Sequence, residues 1–408
     1  MRILWVKAGG LVPPDTGGKI RSYNILRELA RTHSIAFFSF YAAHSPDIHD
    51  DLRSIFGEVI CMPLALPPPK GPREMLDYTA NLLTREPYNI AKYCRSDVRT
   101  RLGQLLRKNE CDVIVCDFLT AAGVVPWNDP RPKVLFTHNV EAAIWKRHFE
   151  VAANPLWKAV SALEWKKMDA AERRYLRLAD HVLTVSESDA DTFASFLPRN
   201  RLTVIPTGVD LQYFRPSPDE EDPDLIVFTG SMDWMPNEDG IFFFAESIFP
   251  LIRQRRSSTK LVVVGRNPSH RLQEMVRRHS GIELTGWVED VRPYLRRGSV
   301  CIVPLRVGGG TRLKIFEAMA MAKAVVSTTV GAEGLPVRHG ETILLGDTPE
   351  AFAGHVLDLL DNPQRRRSLG QAAHDLVSRS YGWSKIAEGF GQTLRRVVQE
   401  HAGGKPSK

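Results

Sequence analysis

Short, continuously apolar segments alternate with longer segments of helical period along the whole sequence. Thirteen apolar segments predict β-strands at 3–6, 35–40, 59–63, 113–116, 134–137, 181–185, 203–205, 225–229, 260–264, 282–285, 300–304, 324–327 and 343–345. Between them, the apolar period predicts helices at 18–31, 96–108, 155–178, 238–255, 311–322, 349–361 and 383–399. Strands without polar alternation are typical of a parallel sheet that helices cover on both faces. The pattern therefore predicts doubly wound α/β units.

An unusual segment separates the two sets of predicted strands. Residues 215–225, RPSPDEEDPDL, are rich in proline and acidic side chains and carry no apolar period, so we predict that a linker region starts there. Because thirteen strands would make an unusually wide open sheet, we predict two facing Rossmann-like domains, residues 1–207 and 208–382. The active site is expected in the cleft between the carboxyl ends of the two sheets.

The charge and cysteine content narrow the class of protein further. The 408-residue sequence has 54 Lys and Arg against 47 Asp and Glu, a net charge of +7 that suits phosphates or an acidic membrane surface. A nucleic-acid-binding protein more often concentrates its charge, so we expect no nucleic acid. Five cysteines without a C-x-x-C pair argue for a reducing compartment. Without a signal peptide or an apolar run of about 18 residues, the expected location is cytoplasmic, with peripheral contact at the inner membrane as an option.

The predicted helix at 155–178 has two interpretations. Apolar side chains recur at spacings of three and four residues, which predicts a core face. That face comprises Leu156, Val160, Leu163, Met168 and Leu176. Six lysines and arginines occupy other positions of the helix. A basic amphipathic helix can lie on a membrane surface, and the same pattern also describes a packed helix with a solvated basic face.

The most distinctive local feature is a glycine-rich turn that leads into a predicted helix near Thr311. Three glycines at 308–310 precede Arg312 and Lys314, and Glu317 follows one turn later. Glycines allow a ligand to approach the backbone, and free N–H groups at a helix start attract anions. Because the helix dipole disfavours cations at this end, two cations there indicate a bound anion such as a diphosphate. The alternative is a solvated turn whose cations point outward.

These residues resemble the donor-site motif of a known family. The stretch 309–317, followed by AMAMAKAVVST, is similar to the motif of retaining glycosyltransferases of family 4, which have the two-domain GT-B fold. The resemblance implies a donor site built from Gly309, Gly310, Thr311, Arg312, Lys314 and Glu317. Glu317 would bind the donor ribose, while Arg312 and Lys314 would hold the diphosphate and stabilise its charge. The family's first glutamate falls on Gly309, and the loop 231–240 lacks the arginine and lysine that usually grip the phosphates.

Further segments extend the resemblance over most of the chain. LVVVGRNP at 261–268 and LTGWVEDVRPYL at 284–295 match the family's segments around the nucleotide base. This match implies that the backbone of Trp287 and Val288 reads the base, with Arg266 near the phosphates or ribose. Residues 383–408 resemble the final helix that crosses back to the N-terminal domain, followed by a frayed tail. GSMDW and PNEDG resemble sugar transferases of bacterial exopolysaccharide and exosortase-associated systems.

Two features of the predicted N-terminal domain fit the same family. The loop after the first strand resembles one that lies beneath the donor diphosphate and sugar, which implies this role for Gly17 and Gly18, with acceptor or phosphate contacts for Lys19 or Arg21. His138 follows a predicted strand, and histidine suits proton handling near neutral pH. It resembles the family's active-site histidine, which is implied to contact the transferred sugar. The alternative is an ordinary loop histidine.

The expected reaction is transfer of a hexosyl group from a nucleotide diphosphate sugar to a hydroxyl of a polysaccharide or lipid-linked glycan, with retention of configuration. We expect no cofactor besides this co-substrate. We also expect no metal, because the D-x-D triplets at 189–191 and 222–224 are interpreted as a helix cap after Ser186 and as linker. Glu141 is a candidate acceptor-side carboxylate. Two alternatives stay open: a nucleotide-sugar epimerase of the same fold, and a non-catalytic nucleotide-sugar-binding subunit of a polysaccharide assembly.

Overall fold

The computed structural model describes residues 1–42, 50–68, 71–108, 110–152, 154–217, 221–307 and 312–403. The chain divides into two compact units. Unit 1 comprises Met1–Pro206 and Ser384–Lys408, and unit 2 comprises Thr207–Trp383. The chain thus leaves unit 1 once and returns to it with its last helix.

Unit 1 is built around a parallel sheet. Its strands are β1 (Arg2–Ala8), β2 (Ser34–Ala42), β3 (Glu58–Leu64), β4 (Val113–Asp117), β5 (Lys133–Phe136), β6 (His181–Thr184) and β7 (Leu202–Val204). Its helices are α1 (Gly17–Leu29), α2 (Asp50–Arg53), α3 (Pro72–Asn81), α4 (Tyr88–Ala91), α5 (Ser96–Lys108), α6 (Glu141–Val151), α7 (Pro155–Leu178) and α8 (Glu187–Ala194). The strand order β3-β2-β1-β4-β5-β6-β7 reverses direction between β1 and β4, the point where ligands bind in open α/β sheets.

Unit 2 repeats this plan. Its strands are β8 (Asp222–Thr229), β9 (Lys260–Val264), β10 (Ile282–Gly286), β11 (Gly298–Val303), β12 (Ala324–Ser327) and β13 (Leu344–Leu345). Its helices are α9 (Met235–Phe243), α10 (Phe249–Arg255), α11 (His270–Arg278), α12 (Arg292–Arg297), α13 (Leu313–Ala320), α14 (Pro349–Asp361) and α15 (Pro363–Ser380). The last helix, α16 (Trp383–Gly403), belongs to unit 1 from Ser384 onward. The order β10-β9-β8-β11-β12-β13 places the reversal between β8 and β11.

The buried strands explain the continuous apolar runs in the sequence. Along β8, Ile226 and Phe228 belong to one core layer, whereas Leu225 and Val227 belong to the layer on the opposite face of the sheet. Both faces are therefore covered, and neither needs polar side chains. Each predicted strand has a counterpart in the structure, and the prediction of two doubly wound α/β sheets is confirmed.

The interpretation of residues 222–224 as linker is wrong, because these residues begin β8. Asp224 pairs with the guanidinium of Arg256, which also bonds Asp361 at 2.6 Å. Because β8 starts with two acidic residues and a proline, its first three residues carry no apolar signal. The cap interpretation is correct, since Ser186 Oγ accepts a hydrogen bond from Asp189 N at 3.1 Å.

The predicted core face of α7 is wrong in its first half. Leu156 is 75% exposed and Leu163 is 38% exposed, whereas Met168 and Leu176 are buried as predicted. The buried positions of the helix include charged residues instead, and Glu164 is fully buried. The reason is a polar network described below, which holds α7 against the segment containing α3 and α4.

The described residues contain no helix that is both long and apolar enough to cross a membrane. Within the same residues, all five cysteines are free.

Candidate active site

Asp117 is the centre of a buried polar cluster at the carboxyl end of β4. Its Oδ2 accepts hydrogen bonds from Lys7 Nζ and Trp5 Nε1, each at 2.9 Å, and its Oδ1 is 2.7 Å from His138 Nε2. Lys7 also donates to Ser22 Oγ in α1, at 3.2 Å. The cluster therefore joins β1, the end of β4, the segment after β5 and α1, and it lies where the strand order reverses between β1 and β4.

The protonation state of this cluster follows from its burial and charges. Burial opposes ionisation of Asp117, but the Lys7 ammonium and the His138 hydrogen bond outweigh it and hold the pKa of this carboxyl well below its usual range. Burial lowers the pKa of His138 to about 4, against the opposing effect of Asp117. A neutral His138 then donates Nε2–H to Asp117, which leaves its Nδ1 lone pair as an acceptor.

His138 Nδ1 faces the first turn of α1, beside Gly18. The atom is buried and has no hydrogen-bond partner among the described residues. A Cβ built on Gly18 would lie 3.9 Å from Nδ1, so the first turn of α1 passes close to the ring. Gly17 begins the same helix. The arrangement offers one buried acceptor to a hydroxyl donor at the start of α1.

Aromatic rings fix the orientation of His138. Phe136 lies 4.6 Å from the imidazole and Phe118 lies 5.2 Å from it, measured between ring centroids. Phe118 adopts φ 76°, a left-handed conformation that is strained for a bulky side chain. Such strain is found where surrounding structure enforces it, frequently at functional sites.

The predicted contact of Arg21 with acceptor or phosphate is not supported. Arg21 is 2% exposed, and its guanidinium donates to the backbone carbonyl oxygens of Thr137, at 3.1 Å, and Ile205. It also lies 4.5 Å from the Phe136 ring centroid. Arg21 thus joins three chain segments within unit 1. Lys19 is at the surface, paired with Asp15 at 3.0 Å.

Glu141, the candidate acceptor-side carboxylate, begins α6 beside a second glutamate. Glu172 from α7 accepts hydrogen bonds from the backbone N–H groups of Glu141 and Ala142, at 2.9 and 3.4 Å, and so caps α6. Burial raises the pKa of Glu141 to about 7 and that of Glu172 to about 8. Both carboxyls therefore have a pKa close to neutral pH.

In unit 2, Lys314 in the first turn of α13 is held at the carboxyl end of β8. Its Nζ donates to Asn237 Oδ1 at 2.7 Å and lies 4.0 Å from the Phe228 ring centroid. A Cβ on Gly230 would be 2.5 Å from Nζ, so a larger residue there would displace the ammonium. Asn237 is 4% exposed, and its Nδ2 donates to Ser231 O at 2.7 Å. The amide orients the ammonium without neutralising it.

The pKa of Lys314 lies close to neutral pH. Burial and the neighbouring Arg312 lower the pKa of Lys314 to about 7, against an opposing effect of Glu317. Burial raises the pKa of Glu317 to about 7, partly offset by Lys314. A bound diphosphate would favour the charged form of Lys314.

Arg312 and Arg266, two further predicted donor residues, lie near this point of unit 2. Arg312 is 3% exposed and its guanidinium carbon lies 5.4 Å from the Trp234 ring centroid. It precedes α13 rather than lying within its first turn. Arg266 Nε donates to Ser231 Oγ at 3.1 Å, in the loop after β8. Gly309, Gly310 and Thr311 lie outside the described residues.

Trp287 and Val288 lie further along the same sheet edge. Gly286 ends β10 with φ 71°, a left-handed turn conformation, and Trp287 follows it with 72% of its surface exposed. Val288 is half-buried and packs against the core layer that contains Leu225. The turn thus presents an exposed indole and its backbone.

The sequence motifs single out His138 and Lys314 as candidates but not the residues that hold them. Asp117 ends the apolar run VIVCD, so a carboxylate at the end of a central strand was the available signal. Asn237 lies in PNEDG, which carries no comparable signal, because only the folded chain brings it to Lys314. Across the described ranges, no group of three or more His, Cys, Asp or Glu side chains could hold a metal ion.

Two units, each with a doubly wound parallel sheet, have the architecture of the GT-B fold. Similar solved structures share this fold. Sucrose-phosphate synthase from Thermosynechococcus elongatus matches with a TM-score of 0.73 at 18% identity, over 98% of this chain and 99% of that one. The HepE protein of Anabaena, in a complex with UDP and glucose, matches with a TM-score of 0.65 at 14% identity, over 97% of this chain and 99% of that one.

Family models identify the family. The model of Glycosyltransferase Family 4 matches residues 17–213, and the model of Glycosyl transferases group 1 matches residues 223–362. The two models together match well over half of the chain. The protein therefore belongs to the family 4 glycosyltransferases, and the resemblance found in the sequence is confirmed.

Individual relatives are distant. An uncharacterised 44.6 kDa protein of the cps region of Klebsiella pneumoniae is 22% identical over 311 residues, which cover 71% of this chain and 75% of the relative. The D-inositol 3-phosphate glycosyltransferase of Kineococcus radiotolerans is 28% identical over 240 residues, which cover 50% of this chain and 53% of that enzyme. The chain thus spans about half the length of this second relative.

Proposed function

We propose that this glycosyltransferase moves a hexosyl group from a nucleotide diphosphate sugar to a hydroxyl acceptor, with retention of configuration and without a metal ion. The observation that carries the proposal is the placement of Lys314, whose ammonium a neutral amide holds at the carboxyl end of β8. An ammonium that a neutral amide orients suits a departing diphosphate. Arg312, which is buried beside it, adds a second positive charge.

Other residues take roles around the donor in this proposal. Glu317 accepts hydrogen bonds from the ribose, the backbone at Trp287 and Val288 reads the base, and Arg266 lies near the phosphates. Gly309, Gly310 and Thr311 allow the donor to approach the backbone. His138, with its free Nδ1 acceptor, contacts the transferred sugar beside Gly17 and Gly18. Holding the sugar in reacting geometry is as important as stabilising charge.

The proposed acceptor is a growing polysaccharide or a lipid-linked glycan at the cytoplasmic face of the inner membrane. Two observations support this choice. One relative comes from a cps region, and GSMDW and PNEDG resemble sugar transferases of exopolysaccharide and exosortase-associated systems. The similar HepE structure, which contains UDP and glucose, supports a nucleotide diphosphate sugar as donor.

Removing the two cations tests the proposal. In the double variant Arg312→Ala, Lys314→Ala, we expect turnover to fall by at least ~10²-fold, the scale for losing charge-stabilising donors. The matched control is Arg277→Ala, Arg278→Ala, which removes two exposed cations from the last turn of α11 in the same unit. Turnover is measured as nucleotide diphosphate released with an acceptor panel, and the anomeric configuration of the product by NMR.

Each alternative function has its own signature in that assay. Conversion of the donor sugar without any acceptor would identify an epimerase. Donor binding without transfer across the whole panel would identify a non-catalytic binding subunit. Unchanged turnover in the Arg312, Lys314 double variant would rule out these residues as the diphosphate clamp.

A further inference from the structure

The helices α6 and α7 form a hairpin whose end is largely exposed. We call residues 143–151 and 154–159 the hairpin tip. Every residue at 154–159 is exposed, and within 143–151 only Trp145 and Phe149 are half-buried. A helix that packs on a protein core buries one side of each turn. In the hairpin tip, Trp145 packs against the core of unit 1 and Phe149 stacks on Trp165 of α7, and the other residues of the tip are exposed to solvent.

Large apolar side chains at the hairpin tip face solvent. Leu156 is 75% exposed and Val151 is 66% exposed, one on each side of the connection between the helices. Trp157 and Ile144 are 44% and 40% exposed. Single exposed apolar residues are common on protein surfaces, but a contiguous group marks an interaction surface.

Aromatic rings of the two helices contact each other at the tip. The Trp157 ring centroid lies 6.4 Å from that of Trp145 and 6.5 Å from that of His148. Tryptophan at the boundary between apolar and charged surface is typical of membrane interfaces, where its ring is apolar and its N–H stays hydrated.

The charged residues of the tip are mostly basic. Lys146, Arg147 and Lys158 are exposed, against Glu150 as the exposed acid. The Lys158 ammonium lies 5.4 Å from the Phe149 ring, so its stem covers apolar surface while its charge stays outside. The tip therefore combines apolar side chains at its end with a net positive charge around them.

A buried network fixes the hairpin to the rest of unit 1. Lys167 Nζ donates to Glu164 Oε1 at 2.9 Å and to Asn81 O at 2.9 Å, and Glu164 Oε2 accepts a hydrogen bond from Tyr88 N at 3.3 Å. Glu164 and Lys167 are both buried. The middle of α7 is thus held against α3 and α4, whereas every residue at 154–159 is exposed.

We propose that the hairpin tip inserts into the surface of an anionic lipid bilayer, with Val151, Leu156 and Trp157 among the acyl chains and Lys146, Arg147 and Lys158 at the head groups. Apolar insertion combined with basic residues gives binding to anionic lipid surfaces. A second copy of the chain is a poorer partner, because two tips would bring like charges together. The inference rests on the proposed lipid-linked acceptor. It assigns membrane contact to the hairpin tip and not to a basic face along the whole helix at 155–178.

Vesicle sedimentation tests the proposal with the full-length protein. Vesicles of phosphatidylglycerol and phosphatidylethanolamine are compared with vesicles of phosphatidylcholine alone. We expect strong preference for the anionic vesicles. The variant Leu156→Ser, Trp157→Ser and the variant Lys146→Gln, Arg147→Gln, Lys158→Gln should each bind anionic vesicles at least ~10-fold more weakly.

Matched controls separate the tip from general surface effects. Leu178→Ser alters a 46% exposed leucine at the opposite end of α7. Arg101→Gln, Arg107→Gln, Lys108→Gln removes three exposed charges from α5 of the same unit. Both controls should bind anionic vesicles as the unaltered protein does. Transfer to a short hydrophilic acceptor should be unchanged in all variants, which also confirms that they fold.

Several outcomes would overturn the proposal. These are equal binding to both kinds of vesicle, loss of binding in the controls as large as in the tip variants, and tip variants that dissociate an oligomer without affecting vesicle binding. The last result would assign the tip to a contact between copies. Vesicle binding needs no sugar donor, so a failure of the proposed transferase activity would leave this test intact.

Discussion

The charge on Asp117 is the most consequential single feature of unit 1. The carboxylate is fully buried and depends on Lys7 and His138 to stay ionised. Removing one partner of a buried ion pair leaves the other charge without compensation, whereas removing both avoids this penalty. The cluster therefore makes stability and the geometry of His138 depend on the same few atoms.

We predict that Asp117→Asn lowers the free energy of unfolding by about 3–5 kcal/mol, and that Lys7→Met, Asp117→Asn lowers it by less. The measurement is urea unfolding of both variants and of Lys7→Met. Asp97→Asn is the control, because Asp97 forms an exposed pair with Arg95 whose loss should cost about 1 kcal/mol or less. A double variant less stable than Asp117→Asn would contradict the prediction.

The same carboxylate predicts an acid dependence with a definite sign. The folded-state pKa of Asp117 is depressed below the unfolded value of about 3.9, so its stabilising contribution is present above that pH and is lost on acidification below it. Stability of the unaltered protein should therefore fall more steeply below about pH 4 than that of Asp117→Asn.

Donor binding should depend on pH through Lys314. Burial beside Arg312 lowers its pKa to about 7, so the free protein loses this charge as the pH rises above that value. A diphosphate favours the charged form, and binding should weaken by up to about tenfold per pH unit above 7 while taking up a proton. Glu317, with a pKa of about 7, gains negative charge over the same range and acts in the same direction.

Calorimetry of nucleotide diphosphate binding in buffers of different ionisation enthalpy measures both quantities. Lys314→Met should bind nucleotide diphosphate weakly and lose most of the proton uptake. Glu317→Gln shows how much of the pH dependence of binding comes from the Glu317 carboxyl. Affinity that stays constant across this pH range would show that Lys314 does not meet the phosphates.

At the scale of elements, the sequence predicted strands better than helices. A strand covered on both faces is a continuous apolar run, as in β9 and β12. The helix α15 was missed because its sequence is polar. Even its Arg366 is buried, bonding the Leu359 carbonyl at 2.7 Å and Glu221 at 3.0 Å. Partners of this kind are set by tertiary structure, which the apolar period does not report.

Two glycines in neighbouring helices should respond oppositely to alanine. Gly354 lies in α14 with open space around its Cβ position, so Gly354→Ala should stabilise the fold by about 0.5–1 kcal/mol. At Gly370 in α15, a Cβ would lie 2.1 Å from the carbonyl oxygen of Ala322, so Gly370→Ala should cost about 1–3 kcal/mol. Thermal unfolding of the two variants measures the difference, and equal effects would contradict it.

At the scale of the whole molecule, the chain builds two units of the same plan and ends in the first. Neither the apolar period nor the composition indicates to which unit the last helix returns, and only the family resemblance implied it. The physical reason is specific. Phe390 of α16 is fully buried, with its ring 5.4 Å from Trp5 and 5.1 Å from Phe136. The returning helix thus completes the core against β1 and β5.

This packing predicts that a destabilising substitution in α16 also destabilises the sheet of unit 1. Phe390→Ala should remove about 3–5 kcal/mol of stability, and hydrogen exchange of the β1 and β5 amides should accelerate by at least ~10²-fold. Amides of β8 and β11 in unit 2 should keep their protection. Phe352→Ala is the mirror variant, because Phe352 is fully buried in unit 2 with its ring 5.9 Å from Phe244. It should accelerate exchange in β8 and β11 instead. If either variant accelerated exchange equally in both sheets, the two units would unfold as one, and the division of the chain at residues 206 and 384 would have no energetic meaning.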